Sequence, residues 1–219
     1  MLVDTHCHLN FDSFDADRPQ VLESAKVAGV GRILIPAIDL QTSQEIVDMA
    51  QTVPELYAAI GVHPHDGASW RKETRASLRE LAQMPKVVAI GEIGLDYYRV
   101  LTPIPQQQHI FAQQLELAAE LELPVVIHIR DANRQQPQAT ADTLRMLADW
   151  TADLRKAGSP LAERPGVLHS FSSGLAAGLE AIQLGFMLGI TGPVTYKKAF
   201  DLQEVVLGIP LQRLLLETD

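Results

Sequence analysis

Short apolar runs alternate along this chain with stretches whose apolar residues recur three and four positions apart. Leu2 to Thr5 opens as a strand, and Arg18-Pro19 starts a helix with Val21, Leu22, Ala25 and Ala28 on one face, ended by Gly29 and Gly31. Arg32 to Pro36 is a second short strand, and a helix follows from Thr42 or Ser43, with Glu45 favouring its N-terminal dipole end. Leu56 to Val62 predicts a third strand, Lys72 to Ala82 a polar amphipathic helix, and Lys86 to Gly91 a fourth strand ending at Glu92. Gln106 to Leu121, rich in Ala, Leu, Gln and Glu, has the composition of a helix. Pro124 to Ile127 is a strand, Thr140 to Lys156 a helix, and Gly158 to Gly166 a turn-rich connection. Val167-Leu168, a helix from Leu175 to Leu184, the run Phe186 to Ile190, a helix from Lys197 to Leu207 and the run from Leu214 complete the pattern.

Eight candidate strands and seven intervening helices result. Continuously apolar strands alternating with amphipathic helices imply a parallel sheet covered by helices, and eight of them favour an α/β fold of the (β/α)8 TIM barrel type. The expected domain is a single barrel over residues 1–219, lacking a helix after the last strand. An open doubly wound sheet is the other architecture, but no Gly-x-Gly-x-x-Gly follows the first strand, so a dinucleotide-binding unit is unsupported.

Composition narrows the class. Apolar residues make up 47% of the chain and charged residues 21%, which excludes disordered and fibrous proteins. A net charge of −9 argues against field-driven binding to nucleic acid, but leaves open a nucleic-acid substrate held through metal ions. Cys7 is the single cysteine, so no intrachain disulfide framework exists. Asp4 and two histidines interrupt the N-terminus before any signal-peptide core forms, and no apolar run reaches the roughly 18 residues of a membrane span. The expectation is a cytoplasmic monomer with no membrane association and no stable protein partner.

The chemistry lies where the apolar runs stop. His6 and His8 are spaced i, i+2, so on an extended chain they project from one face while Cys7 points away. Two neutral imidazoles so placed can grip one divalent ion. Further along, strands end at His63, Glu92, His128, His169 and Asp219. Parallel barrel strands all end at one rim, where barrel enzymes place catalysis. Five of the seven histidines fall on that rim, with His65 just beyond it and His109 on a helix surface. Asp96, Tyr97 and Tyr98 read either as a substrate edge or as packing. Arg99 and Arg130 can hold a phosphate or stand in solvent, and Arg130, two residues past His128, is the better placed.

The segments Val3-Asp-Thr-His-Cys-His8, Gly61-Val-His-Pro-His65, Ala89-Ile-Gly-Glu-Ile-Gly-Leu-Asp-Tyr-Tyr98, Pro124-Val-Val-Ile-His-Ile-Arg-Asp131, His169-Ser-Phe-Ser172 and Leu216-Glu-Thr-Asp219 resemble, in order, the motifs of the TatD family of metal-dependent deoxyribonucleases. The resemblance covers nearly the whole chain. It implies a first divalent metal held by His6, His8, Glu92 and Asp219, and a second held by Glu92, His128 and His169, with Glu92 bridging. It implies a substrate or phosphate contact at His63 and a basic contact at Arg130. The catalytic residues implied are Glu92, Asp219 and His63: a water at the Glu92 bridge attacks phosphorus while Asp219 orients or deprotonates it.

Such ions lower the pKa of water from 15.7 to about 7 and neutralise phosphate charge. One or two are expected, with Mg, Mn and Zn as the candidates; imidazole favours the softer ions, whereas the family is described as magnesium-dependent. The implied substrate is DNA, as single strands or 3′ ends. A small-molecule hydrolase of the same barrel group, cleaving an amide, lactone or phosphoester, is the alternative.

Three departures from the family pattern stand out. Ser170 occupies a position where many members have Cys, residues 131–165 form a longer segment, and relatives continue past Glu-Thr-Asp with a loop and final helix. The last difference predicts exposed apolar surface beside the first and last strands, lower stability and weaker metal occupancy.

Overall fold

The computed structural model describes residues 1–133 and 135–219; Arg134, in the stretch expected to enlarge the segment after residue 131, lies outside them. Eight strands, β1 (Leu2–Asp4), β2 (Val30–Pro36), β3 (Leu56–Ile60), β4 (Val87–Asp96), β5 (Val125–Arg130), β6 (Gly166–Leu168), β7 (Met187–Ile190) and β8 (Leu214–Leu216), pair in chain order. Every ladder is parallel. The Thr5 amide donates to the Leu216 carbonyl at 3.1 Å and the Asp219 amide to the His6 carbonyl at 2.9 Å, bringing first and last strands together. The fold is a TIM barrel, nearly closed.

Among the described residues seven α-helices follow the strands: α1 (Arg18–Val27), α2 (Leu40–Thr52), α3 (Lys72–Leu81), α4 (Ile104–Leu121), α5 (Gln138–Lys156), α6 (Leu175–Gln183) and α7 (Phe200–Gly208). Three of them, α1, α3 and α6, start at Arg18, Lys72 and Leu175 as the apolar spacing predicts, whereas α2, α4, α5 and α7 start two or three residues away from the predicted position. At α2 the Asp39 carboxylate accepts the Thr42 amide at 2.8 Å while the Thr42 hydroxyl takes the Asp39 amide at 3.0 Å, so the helix begins before Thr42. None of the described helices is long and apolar enough to cross a membrane.

The pleat sorts side chains into two cores. Outward residues Ile33, Ile35, Leu56, Ile60, Ile90 and Ile127 pack against Ile46, Leu78, Phe111, Leu117, Leu147 and Val205 of the helices. Inward residues Ala59, Ala89, Val126 and Val167, with Leu34, Met187 and Leu215, fill the barrel. β1 and β8 are less covered than the other strands: Leu2, Val3 and Leu216 are exposed.

Two strands depart from the expected limits in ways that shape the site. β4 does not stop at Gly91 but continues to Asp96, with an irregular register against β5 between Ile90 and Ile93. Gly94 makes that extension possible. Its φ of +141° lies outside the range of ordinary side chains, and a Cβ there would overlap the His128 carbonyl. At the other end of the sheet, β1 stops at Asp4, yet the Cys7 amide still reaches the Leu34 carbonyl at 3.1 Å and keeps the His-x-His segment extended.

Candidate metal centre

Barrel residues determine where the polar ones point. Val126 and Val167 face inward, so His128 and His169, two residues further on, face inward one layer higher. Leu215 is related in the same way to Glu217 and then Asp219. Backbone bonds to other strands or strand ends fix three of these positions. The His63 amide donates to Ile38 at 2.8 Å, Glu92 to Ala37 at 2.9 Å, and His169 to Ile127 at 3.0 Å.

Glu92 sits at the centre, 3% exposed. Its Oε2 lies 3.4 Å from His6 Nε2 and 3.5 Å from His8 Nε2, and these two nitrogens are 3.2 Å apart. Asp219 Oδ1 completes this set at 3.7 Å from His6 Nε2 and 3.9 Å from His8 Nε2. The other oxygen, Oε1, lies 2.8 Å from both His128 Nδ1 and His169 Nε2, which are 3.2 Å apart. His63 Nε2 is 3.5 Å from the same oxygen. All the metal-ligating and catalytic residues expected from sequence therefore meet around one carboxylate. Arg130 lies outside the cluster, at the rim.

The separations around Oε2, 3.2 to 3.5 Å, suit a cation, whereas the 2.8 Å contacts of Oε1 are those of hydrogen bonds. Donors about 2.1 Å from one tetrahedrally bound ion stand about 3.4 Å apart. Hydrogen bonding alone satisfies the cluster poorly: His6 and His8 point ring nitrogens at each other, and Nδ1 of His6, His8 and His169 has no partner among the described residues. The donor set of imidazoles and carboxylates matches zinc, manganese or iron better than an all-oxygen shell for magnesium.

Electrostatics assigns different states to similar side chains. Burial alone would raise the Glu92 carboxyl, but His169, His128 and His6 hold it well below the usual carboxylate range. Burial would likewise lower His128, yet Asp96 and Glu92 on its two edges raise it to about 9. At His63, burial dominates and lowers the imidazole to about 3. Its Nδ1 accepts the His65 amide at 3.1 Å, so the neutral ring carries its proton on Nε2. A ring in that tautomer presents a hydrogen-bond donor toward the centre; His63 also forms, with Glu92 and His128, a group with metal-ligand spacing.

Two residues outside the expected ligand and catalytic sets also bear on the cluster: Asp96, read from the sequence only as substrate edge or packing, and Glu217. Asp96 is fully buried; its Oδ2 faces His128 Nε2 at 3.2 Å and His65 Nε2 at 2.9 Å, while Oδ1 accepts the Tyr98 and Arg99 amides at 2.9 and 2.7 Å. The available signal was its four-residue spacing from Glu92, which places both on one face of an extended strand. Glu217 accepts the Ser170 amide, next to His169, and burial raises its carboxyl to about 7.

A family profile described as "TatD related DNase" matches residues 3–219. The chain belongs to the TatD family. It is a TatD-type metal-dependent hydrolase. The chain is 39% identical to "Uncharacterized metal-dependent hydrolase YabD" of Bacillus subtilis, over 219 residues that cover 100% of this chain and 80% of that one. It is also 39% identical to "3'-5' ssDNA/RNA exonuclease TatD" of Rahnella, covering 97% of this chain and 75% of the relative. The crystal structure of the Escherichia coli TatD homologue YjjV superposes with a TM-score of 0.82 at 34% identity, covering 100% of this chain and 78% of YjjV. TatD membership thus agrees with the sequence motifs and with the barrel.

Proposed function

We propose that this TatD-family chain is a divalent-metal-dependent deoxyribonuclease that hydrolyses phosphodiester bonds of single-stranded DNA at 3′ ends, through a two-metal site. The observation that carries the reading is the division of Glu92: one oxygen faces His6 and His8, beside which Asp219 also lies, and the other faces His128 and His169. The nuclease names borne by relatives such as the Rahnella protein support the substrate class.

Divalent ions in these positions would supply Lewis-acid polarisation of the phosphoryl group and acidify water. The chain's own groups do the rest. Glu92 is kept ionised by its histidine neighbours and holds the two donor sets in register. Asp219, one-third exposed at the mouth, is placed to orient an attacking water and take its proton. The His63 Nε2–H points inward and donates to a nonbridging or leaving oxygen of the phosphate. Asp96 and His65 hold the His128 ring in place from behind.

The test is incubation of metal-loaded protein with end-labelled single-stranded DNA. EDTA-sensitive shortening from the 3′ end, lost in His128→Ala and Glu92→Ala proteins that still melt cooperatively, is the expected result. Undiminished shortening by either variant would reject the assignment.

A further inference from the structure

A cavity of about 520 Å³ opens at the catalytic rim beside the ends of β5 and β6. Arg130 and Tyr98 line it, with the guanidinium carbon 4.3 Å from the tyrosine ring centroid. Tyr98 is 56% exposed, although it is held by a backbone bond to the buried Asp96. A second wall is fixed by side-chain hydrogen bonds: the Thr140 hydroxyl meets Asp131 Oδ2 at 2.6 Å and the Ser173 hydroxyl at 2.7 Å. Asp201 and Glu204, both on α7, place exposed carboxylates on the remaining side. None of these residues belongs to the Glu92 cluster.

Among the described residues three carboxylates share the cavity with one guanidinium, a lining that disfavours a phosphate. It suits a flat, uncharged ring with N–H donors on its edge. Stacked aromatic and guanidinium planes are general platforms for unpaired bases, and the volume falls within the range of small-ligand pockets. The location also fits: Arg130 follows His128 by two residues and Ser173 follows His169 by four, so a base here lies beside a phosphate at the cluster.

We infer that this cavity is a nucleobase subsite for one of the two nucleotides flanking the scissile phosphodiester. The base stacks on the Tyr98–Arg130 pair and turns its amino edge to Asp201 and Glu204. Adenine and cytosine carry an exocyclic amino group where thymine has a carbonyl oxygen, so the subsite favours the first two. The inference rests on the nuclease reading above and adds base recognition to it.

The experiment compares EDTA-sensitive cleavage of single-stranded oligonucleotides of one length, carrying adenine, cytosine, thymine or an abasic residue at each flanking position in turn. The wild-type protein is expected to lose about tenfold in kcat/KM for the abasic residue at one of these positions. Tyr98→Ala should lose a similar factor on the adenine substrate and none on the abasic one, while Tyr98→Phe behaves as wild type. The Asp201→Asn, Glu204→Gln double variant should lose the preference for adenine and cytosine over thymine. Equal cleavage of abasic and base-bearing substrates by wild type, equal slowing of both by Tyr98→Ala, or an unchanged preference in the double variant would overturn the subsite. If wild type cleaves no oligonucleotide in an EDTA-sensitive manner, the nuclease reading itself fails and the subsite with it.

Discussion

Asp96 holds the edge of the His128 ring opposite the one that faces Glu92, with 3.2 Å between Asp96 Oδ2 and His128 Nε2. A carboxylate so placed fixes the ring's orientation and tautomer, leaving Nδ1 for a metal. Asp96→Asn should therefore weaken metal binding about 10- to 100-fold, measured by competition with a chromophoric chelator. Far-UV circular dichroism should be unchanged. Wild-type affinity in the variant would show that Asp96 serves only the turn at Tyr98 and Arg99.

His63 should behave differently from the histidines that surround it. In the proposed reading its neutral, Nε2-protonated ring contacts substrate rather than metal, so His63→Ala is expected to lower kcat by about 10²-fold while metal content after dialysis stays at wild-type level. His128→Ala should lose metal as well as activity. Elemental analysis of the two dialysed variants separates these cases, and equal metal loss in both would make His63 a ligand.

The pH dependence of the metal-free protein follows from His128, raised from 6.5 to about 9. Between these values the folded state holds a proton that the unfolded chain has released. Its stabilisation is complete below about pH 6.5 and disappears as pH rises through 9, a loss of up to about 3 kcal/mol. Glu217 acts in the same direction at lower pH, because burial keeps its carboxyl protonated to about 7 rather than 4.5. Urea unfolding in EDTA should give a lower midpoint at pH 9 than at pH 6. A flat or rising profile would contradict the arrangement around His128.

Metal binding must displace the His128 proton at Nδ1, so loading should release protons and be favoured by raising the pH toward 9. Metal at 100 times its dissociation constant adds about 2.7 kcal/mol of stability, which for a chain of this size is a rise of about 5–10 °C in Tm. Differential scanning calorimetry with manganese or zinc, before and after EDTA, checks this. No shift with either ion would mean that the cluster does not bind them in the folded state.

The residues legible in the sequence are those whose position follows from period 2. His6 with His8, and His128 and His169 at the ends of apolar runs, could be placed because strand side chains alternate and barrel strands end at one rim. Asp96 was harder to assign because Gly91 and Gly94 interrupt the apolar run that marks a strand, and β4 continues through them only because Gly94 adopts a backbone conformation open to glycine. The start of α2 does not follow from apolar spacing because the Asp39–Thr42 cap sets it two residues earlier. The cavity beside Arg130 draws its lining from β5, α5, α7 and the segment after β6, a proximity that depends on the closed barrel.

The inward placement of Val126 and His128 on one strand has a consequence for how such a centre tolerates change. Substitutions in the inner layer alter its volume, whereas a single inserted or deleted residue between the two would shift the strand's phase by half a pleat. The imidazole would then turn out among the helices and Ile127 or Ile129 in toward Glu92. The barrel thus acts as a clock for its own chemistry, tolerant of what each tick carries and intolerant of a missed beat.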